Sequence, residues 1–298
     1  MKTKFNNSEL THVWANQSQT EGTGSNIFFD GPSIYSYGRH FKIAEIVEHN
    51  NKTAVLFNSD SYSNTTAKHQ SLTLRSIPSQ YPIFKVVSFG NNLHTHRDNL
   101  GKYLTDAENT QRQTKTATKH KGGYLSQTIG HLNTFRNYCS FFDLGDYSNM
   151  SSMTLQGLSI SERYILLTEW VNLYENSTEF KEWQIKQEEN KKKAELKAIE
   201  EAKDKIDLFR AFKVPYIYNL GINLLRFNKD TDEIETSGGV KMPRNIFFDA
   251  YQRLKNDTLL IGQHIGQYRF NGLENDTLLI GCHKVPLNEV ANIIPILG

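Results

Sequence analysis

Short apolar runs parted by turn residues occupy both ends of this chain, whereas its middle repeats apolar positions every three or four residues. Near the start, Asn26–Phe29 and Ser33–Tyr37 flank Asp30-Gly31-Pro32, and Phe41–Glu48 and Thr53–Phe57 flank His49-Asn50-Asn51-Lys52. Both arrangements predict β-hairpins. Polar residues 58–65 then lead into a helix expected over Thr66–Ile77, with Thr65 or Thr66 as its cap and Pro78 as its stop. The predicted order is β-β-β-β-α. In the middle, Tyr164, Leu167, Val171 and Tyr174 share one helical face behind Ser161, the expected N-cap. A longer helix is expected from Lys181 to Phe212. Glu182–Lys186, Glu188–Lys192, Glu189–Lys193 and Glu201–Lys205 support it as i,i+4 pairs. Its second half carries an apolar stripe of Leu196, Ile199, Ala202, Ile206, Phe209 and Phe212, and Pro215 ends it.

The C-terminal end repeats itself. Asn256-Asp257-Thr258-Leu259-Leu260-Ile261-Gly262 recurs letter for letter at Asn275–Gly281. A second match, Gly-x-x-Lys-apolar-Pro-x-Asn, occurs at Gly238–Asn245 and again at Gly281–Asn288. Each copy of it follows a predicted hairpin, Leu224–Phe227 with Glu233–Thr236 and Gln267–Phe270 with Thr277–Ile280. Each precedes a helical pattern, Ile246–Leu254 and Val290–Leu297. Proline suits the first helical turn, where its missing N–H costs nothing. Two tandem ββα units, an internal duplication, are the simplest account. The expected fold is therefore α+β, with a β-rich part over 1–93, a helical middle over 94–213 and the tandem units over 214–298.

Composition narrows the picture. The 298 residues carry 34 Lys+Arg against 32 Asp+Glu, which excludes a uniformly basic coat for nucleic acid and an acidic mimic of it. The near-balance is a cancellation: residues 94–137 carry +4, 138–174 carry −3, and 175–213 are charge-dense but neutral. Two cysteines, Cys139 and Cys282, match no metal or disulfide framework, so a reducing setting is expected. The polar start MKTKFNNSELTHVW has no signal-peptide pattern, and no apolar run is long enough for a membrane span.

Candidate chemistry gathers in a few places. Tyr35, Tyr37, Arg39 and His40 stand at a strand–turn–strand corner, with Lys68 and His69 early in the following helix. Folded back, they would form a concave edge able to hold a phosphate, or to set a base beside a cation. The competing account is that they satisfy backbone groups at a tight corner. Arg112, Lys115, Lys119 and Lys121 recur at helical spacing among Thr and Gln before Gly122-Gly123 breaks the run. That composition suits phosphate contacts, with Tyr103 and Tyr124 available to stack on bases; a solvated helix face is the alternative. His94-Thr95-His96 lacks a third ligand at any metal-site spacing and reads as a surface turn. Cys282 and His283, neighbours on a strand, are expected on opposite faces, so a Cys–His pair would need another histidine brought in by the fold. No catalytic residue, metal or cofactor is assigned.

His12-Val13-Trp14-Ala15, Ile34–Phe41 (IYSYGRHF), Asn58-Ser59 and Thr66-Ala67-Lys68-His69 resemble the front of uncharacterised proteins carried by bacteriophages and related mobile elements. Thr236–Gly239 and Ile280–Val285 are similar to the back of those proteins. The resemblance covers roughly residues 10–77 and 222–298, and implies a bacterial cytoplasm or virion setting without implying a mechanism. The leading expectation is an accessory protein that binds DNA or RNA locally through 94–137. A protein-interaction module, as a virion component or an inhibitor of a host system, is the alternative. A hydrolase or nuclease using His40 and His69 comes third.

Overall fold

In the computed structural model, residues 3–60, 63–145, 157–217 and 220–297 are described; the side chain of Ile199, part of the expected stripe, lies outside them. The protein is α+β, with hairpin-rich sheets at both ends and a helical middle. The chain divides into two compact units that interleave along the sequence. The first comprises Met1–Ala44, Ser61–Tyr81 and Ala194–Gly298, and the second Glu45–Asp60 and Pro82–Lys193. The expected 1–93 segment is thus divided between them, because long-range packing ignores where local patterns begin and end.

In the first unit, α1 (Asn7–Ala15) is capped by the Asn6 side chain and buries Leu10, Val13, Trp14 and Ala15. The Trp14 indole donates to the Pro32 carbonyl at 2.9 Å, so the buried ring leaves no polar atom unpaired. Strands β1 (Glu21–Thr23), β2 (Ile27–Asp30) and β3 (Ser33–Ser36) form an antiparallel meander, with Gly22 opposite Phe29 and Phe28 opposite Tyr35. Strand β4 (Lys42–His49), within which the unit boundary falls, and strand β5 (Lys52–Asn58), of the second unit, match the second predicted hairpin. Helix α2 (Asn64–Ser76) takes Ser63 as its cap rather than Thr65 or Thr66. Ser63 alone has the extended backbone that lets a side chain turn back onto the Thr66 N–H.

The chain then enters β6 (Ile83–Val86), which the sequence did not suggest and which runs parallel to β5. In the second unit β5 and β6 back onto α3 (Leu93–Thr116), α4 (Lys121–Phe141), α5 (Ile160–Glu175) and the start of α6 (Thr178–Arg210). Their core holds Leu56, Phe84, Leu100, Leu104, Phe135 and Tyr138. A polar node sits inside it: the Tyr138 hydroxyl meets His96 Nδ1 at 3.0 Å and accepts from Asn99 at 3.1 Å. His94-Thr95-His96 is therefore the first turn of a helix, capped by Asn92, and not a surface turn; His96 is buried. Ser159, two residues before the expected Ser161, caps α5 through a reciprocal bond with Glu162.

The C-terminal part of the first unit is a sheet-and-helix repeat. Strands β7 (Leu225–Asn228), β8 (Glu233–Thr236) and β9 (Lys241–Pro243) lead into α7 (Arg244–Lys255). Strands β10 (His264–Ile265), β11 (Tyr268–Glu274), β12 (Thr277–Ile280) and β13 (His283–Pro286) lead into α8 (Leu287–Leu297). Each predicted hairpin thus gains a third strand, β9 or β13, formed by the Lys-apolar-Pro part of the shared motif, and the second sheet gains a fourth, β10. The two sheets share one core around Leu225, Ile234, Phe270, Leu278 and Val285. Arg226 pairs with Glu235 at 2.8 Å and lies over the rings of Phe209 and Phe212, tying the end of α6 to β7. Among the described residues no helix is long and apolar enough to cross a membrane.

Candidate functional site

The basic segment folds as two helices joined by a tight turn. Ala117 leaves the helical conformation at the end of α3, and His120 adopts a left-handed one (φ 65°) just before α4. Gly122-Gly123, which close the basic run, lie inside the first turn of α4. Gly122 is there for space: a Cβ would stand 2.5 Å from Cγ of the Trp183 indole. The turn holds Lys115, Lys119 and Lys121, all exposed, with exposed Arg112 one turn earlier beside Asn109.

A groove of about 430 Å³ opens against this turn. Lys115, His120 and Lys121 line it from the α3–α4 side, and Trp170, Tyr174, Phe180 and Trp183 from α5 and α6. Glu179 is the acidic residue in the lining. The Lys115 ammonium lies 5.7 Å from the Trp170 ring centre, Trp170 meets Tyr174 at 4.9 Å, and Phe180 stacks on Trp183 at 5.5 Å. Among the described residues no side chain caps α4; the Gly123 and Tyr124 N–H groups donate to the His120 carbonyl, and Lys121 and Gly122, at the positive end of the helix dipole, line the groove. Cations, donors and aromatic faces thus meet at one opening.

The structure corrects the stacking residues. Tyr103 is buried on the face of α3 that also carries Leu100, Leu104 and Ala107, so no base reaches it. Its hydroxyl finds no partner among the described residues, and burial pushes its pKa well above the ordinary 10. Tyr124 is half-buried on α4. The rings that do line the groove lie some fifty to seventy residues downstream, which only the tertiary fold brings back.

The Tyr35–His40 corner is partly assembled. Tyr35 is buried and stacks on Phe28, with Arg39 and Lys42 5.7 and 5.9 Å from its ring centre. Arg39 also pairs with Asp30 at 2.7 Å. His69 is buried, with Nδ1 2.8 Å from the Ser36 hydroxyl, and its pKa is lowered by desolvation. Tyr37 (φ 60°) tilts against the His69 ring at 5.8 Å. His40 and Lys68 are exposed. The pair His69–Ser36 satisfies two buried polar groups, which is a structural use of the histidine.

A third cluster overturns an expectation. Cys282 lies in the turn between β12 and β13, ahead of the strand, so its side chain does not alternate with that of His283. Sγ of Cys282 approaches His283 Nε2 at 3.6 Å, and His12 Nδ1, from α1, at 3.4 Å. The further histidine that a Cys–His arrangement needed is His12, almost the whole chain away in sequence. The His12 and His283 rings stack at 5.3 Å, and Tyr268 stands edge-on to both.

Two interleaved α+β units carrying a cationic, aromatic groove and a Cys–His cluster are the class of protein that these features define. No family model, curated protein or solved structure matches the chain.

Proposed function

We propose that the protein binds single-stranded nucleic acid through the groove at the α3–α4 turn. The observation that carries this reading is the convergence of Lys115, Lys121 and the uncapped α4 N-terminus with Trp170, Tyr174 and Trp183. Phosphates are held by ammonium groups and by free helix N–H donors. Bases stack on aromatic faces regardless of sequence, each such contact being worth about 1–3 kcal/mol. Arg112 and Lys119, exposed beside the opening, extend the phosphate track. The resemblance of both chain ends to phage and mobile-element proteins supplies the setting, an accessory protein acting on DNA or RNA in a bacterial host.

Fluorescence anisotropy with labelled single-stranded DNA and RNA tests the reading. Expected are binding at low salt, quenching of tryptophan emission, and a log affinity that falls with log salt by about 0.7 for each phosphate contacted. Failure to bind either polymer at low salt refutes it.

The alternative, a protein-interaction module, draws on α5. Ile165, Leu166 and Leu173 are exposed there, Leu173 by 78%. It predicts a stable complex with a host or virion protein, insensitive to added nucleic acid and weakened by Leu173→Lys. Light scattering and size exclusion separate the two.

A further inference from the structure

We propose that His12, Cys282 and His283 form a binding site for a divalent, borderline-soft cation of the zinc type. The site lies wholly in the first unit and is separate from the groove assigned to nucleic acid.

Donor chemistry comes first. One thiolate and two imidazoles suit zinc, and three protein ligands leave a fourth position for water. Geometry agrees. With a metal–sulfur distance of about 2.3 Å and a metal–nitrogen distance of about 2.0 Å, tetrahedral ligands stand roughly 3.6 Å apart. The observed Sγ–N separations are 3.4 and 3.6 Å, and all three donor atoms lie within 4.8 Å of one another. The remaining adjustment is a modest closing of the two rings.

The frame behind the donors is fixed. Gly281, next to Cys282, has φ 57°, and a Cβ there would stand 2.8 Å from the Asn16 side-chain oxygen. That oxygen accepts from the Arg269 N–H at 3.0 Å, while the Gly281 N–H donates to the Arg269 carbonyl at 2.7 Å. Asn16 caps the C-terminus of the helix that carries His12. The backbone thus brings α1 and the β12–β13 turn together before any ion arrives, as a preorganised site requires. A groove of about 620 Å³, lined by Glu9, Gln267 and Tyr268 among others, opens to solvent at His12, one of the three ligands.

A metal takes each imidazole as a neutral ring and the thiol as a thiolate, so binding is an exchange. The cation enters, a metal–sulfur bond forms, and the thiol proton leaves to the buffer. Without metal, the same three groups form a neutral hydrogen-bonded cluster, with the thiol between two imidazoles; this is the competing account.

The experiment uses the full-length protein, reduced and stripped with a chelator, then titrated with Co²⁺ and back-titrated with Zn²⁺. Expected are one equivalent bound, visible bands of tetrahedral intensity, a near-ultraviolet thiolate-to-cobalt band, and displacement of all of these by Zn²⁺. Cys282→Ser should remove the thiolate band. His12→Ala should weaken affinity by roughly 100-fold, since even residues behind metal ligands are worth 10–100-fold. Exposed His40→Ala should change nothing. Circular dichroism of the metal-free variants guards against misfolding, and Cys282→Ala serves if the serine variant fails to fold. No thiolate band in the folded parent, or a band that survives Cys282→Ser through Cys139, overturns the proposal.

Discussion

The groove of the second unit and the Cys–His cluster of the first are opposite solutions to making a polar site. The groove keeps its charges in water: Lys115 and Lys121 are exposed, and its aromatic lining runs from buried Phe180 through half-buried Trp170 and Trp183 to exposed Tyr174. Its cost in desolvation is small, and its reach is electrostatic. The cluster half-buries its ionisable groups, and desolvation favours the uncharged form of each. Only a ligand that brings its own charge turns it on. The first kind of site shows itself in composition, the second only in proximity.

The difference can be broken experimentally, since the two sites should fail independently. Combined Lys115→Glu and Lys121→Glu should cost the most. Reversing two phosphate contacts is expected to weaken single-strand binding at low salt by about 100-fold or more, measured by anisotropy, while the cobalt spectrum stays intact. Loss of both properties together would show that the sites are not separable. Next is Gly122→Ala, which drives a methyl group into the Trp183 indole. Destabilisation by about 1–3 kcal/mol, read from urea denaturation, should accompany weaker nucleic-acid binding as the ring is displaced. Tyr174→Ala, at a ring that is 46% exposed, should leave stability within about 0.5 kcal/mol and reduce affinity by about 1 kcal/mol or slightly more.

The smallest effect concerns protons. Desolvation lowers the pKa of His69 in the first unit and of His96 in the second below the usual 6.5, His49 adding to the effect at His96. The unfolded chain therefore takes up protons first as pH falls. The stability that these residues contribute is complete above about pH 6.5 and declines as pH drops toward their folded values. Urea midpoints should be flat above about pH 7 and fall steadily toward about pH 5, with a shallower fall in His69→Asn.

Much of the architecture was legible because its causes are local. Both N-terminal hairpins, α2, α5, the long α6 and the two C-terminal repeats follow from turn residues, caps and apolar spacing. What was misread depended on distant partners. Gly122-Gly123 are helix breakers by propensity, yet they lie within α4, where the Trp183 ring fills the space that a Gly122 side chain would need. Tyr103 and Trp170 are both aromatic residues near charge, and only packing decides that the first is core and the second lines an opening.

The literal repeat makes the same point within one unit. At Asn275–Gly281, Asn275-Asp276 form a tight turn with positive φ, and Leu278 and Leu279 are buried in β12. At Asn256–Gly262 the identical seven residues leave helix α7 as irregular chain, with Leu260 and Ile261 exposed by 61% and 73%. Identical letters supply the same turn preference and the same hydrophobicity in both places. A strand forms only where β11 and β13 offer edges on either side.

The sequence by itself determined the α+β class, the hairpins, the charge-balanced long helix and the basic character of the α3–α4 region. These depend on interactions within a few residues, which a linear pattern records. Tertiary structure decided which aromatic rings face the lysines, that 1–93 would be divided between two units, and that His12 would meet Cys282 and His283. Each of those facts is a distance between remote segments, fixed by burial of shared apolar surface, and no local pattern encodes it.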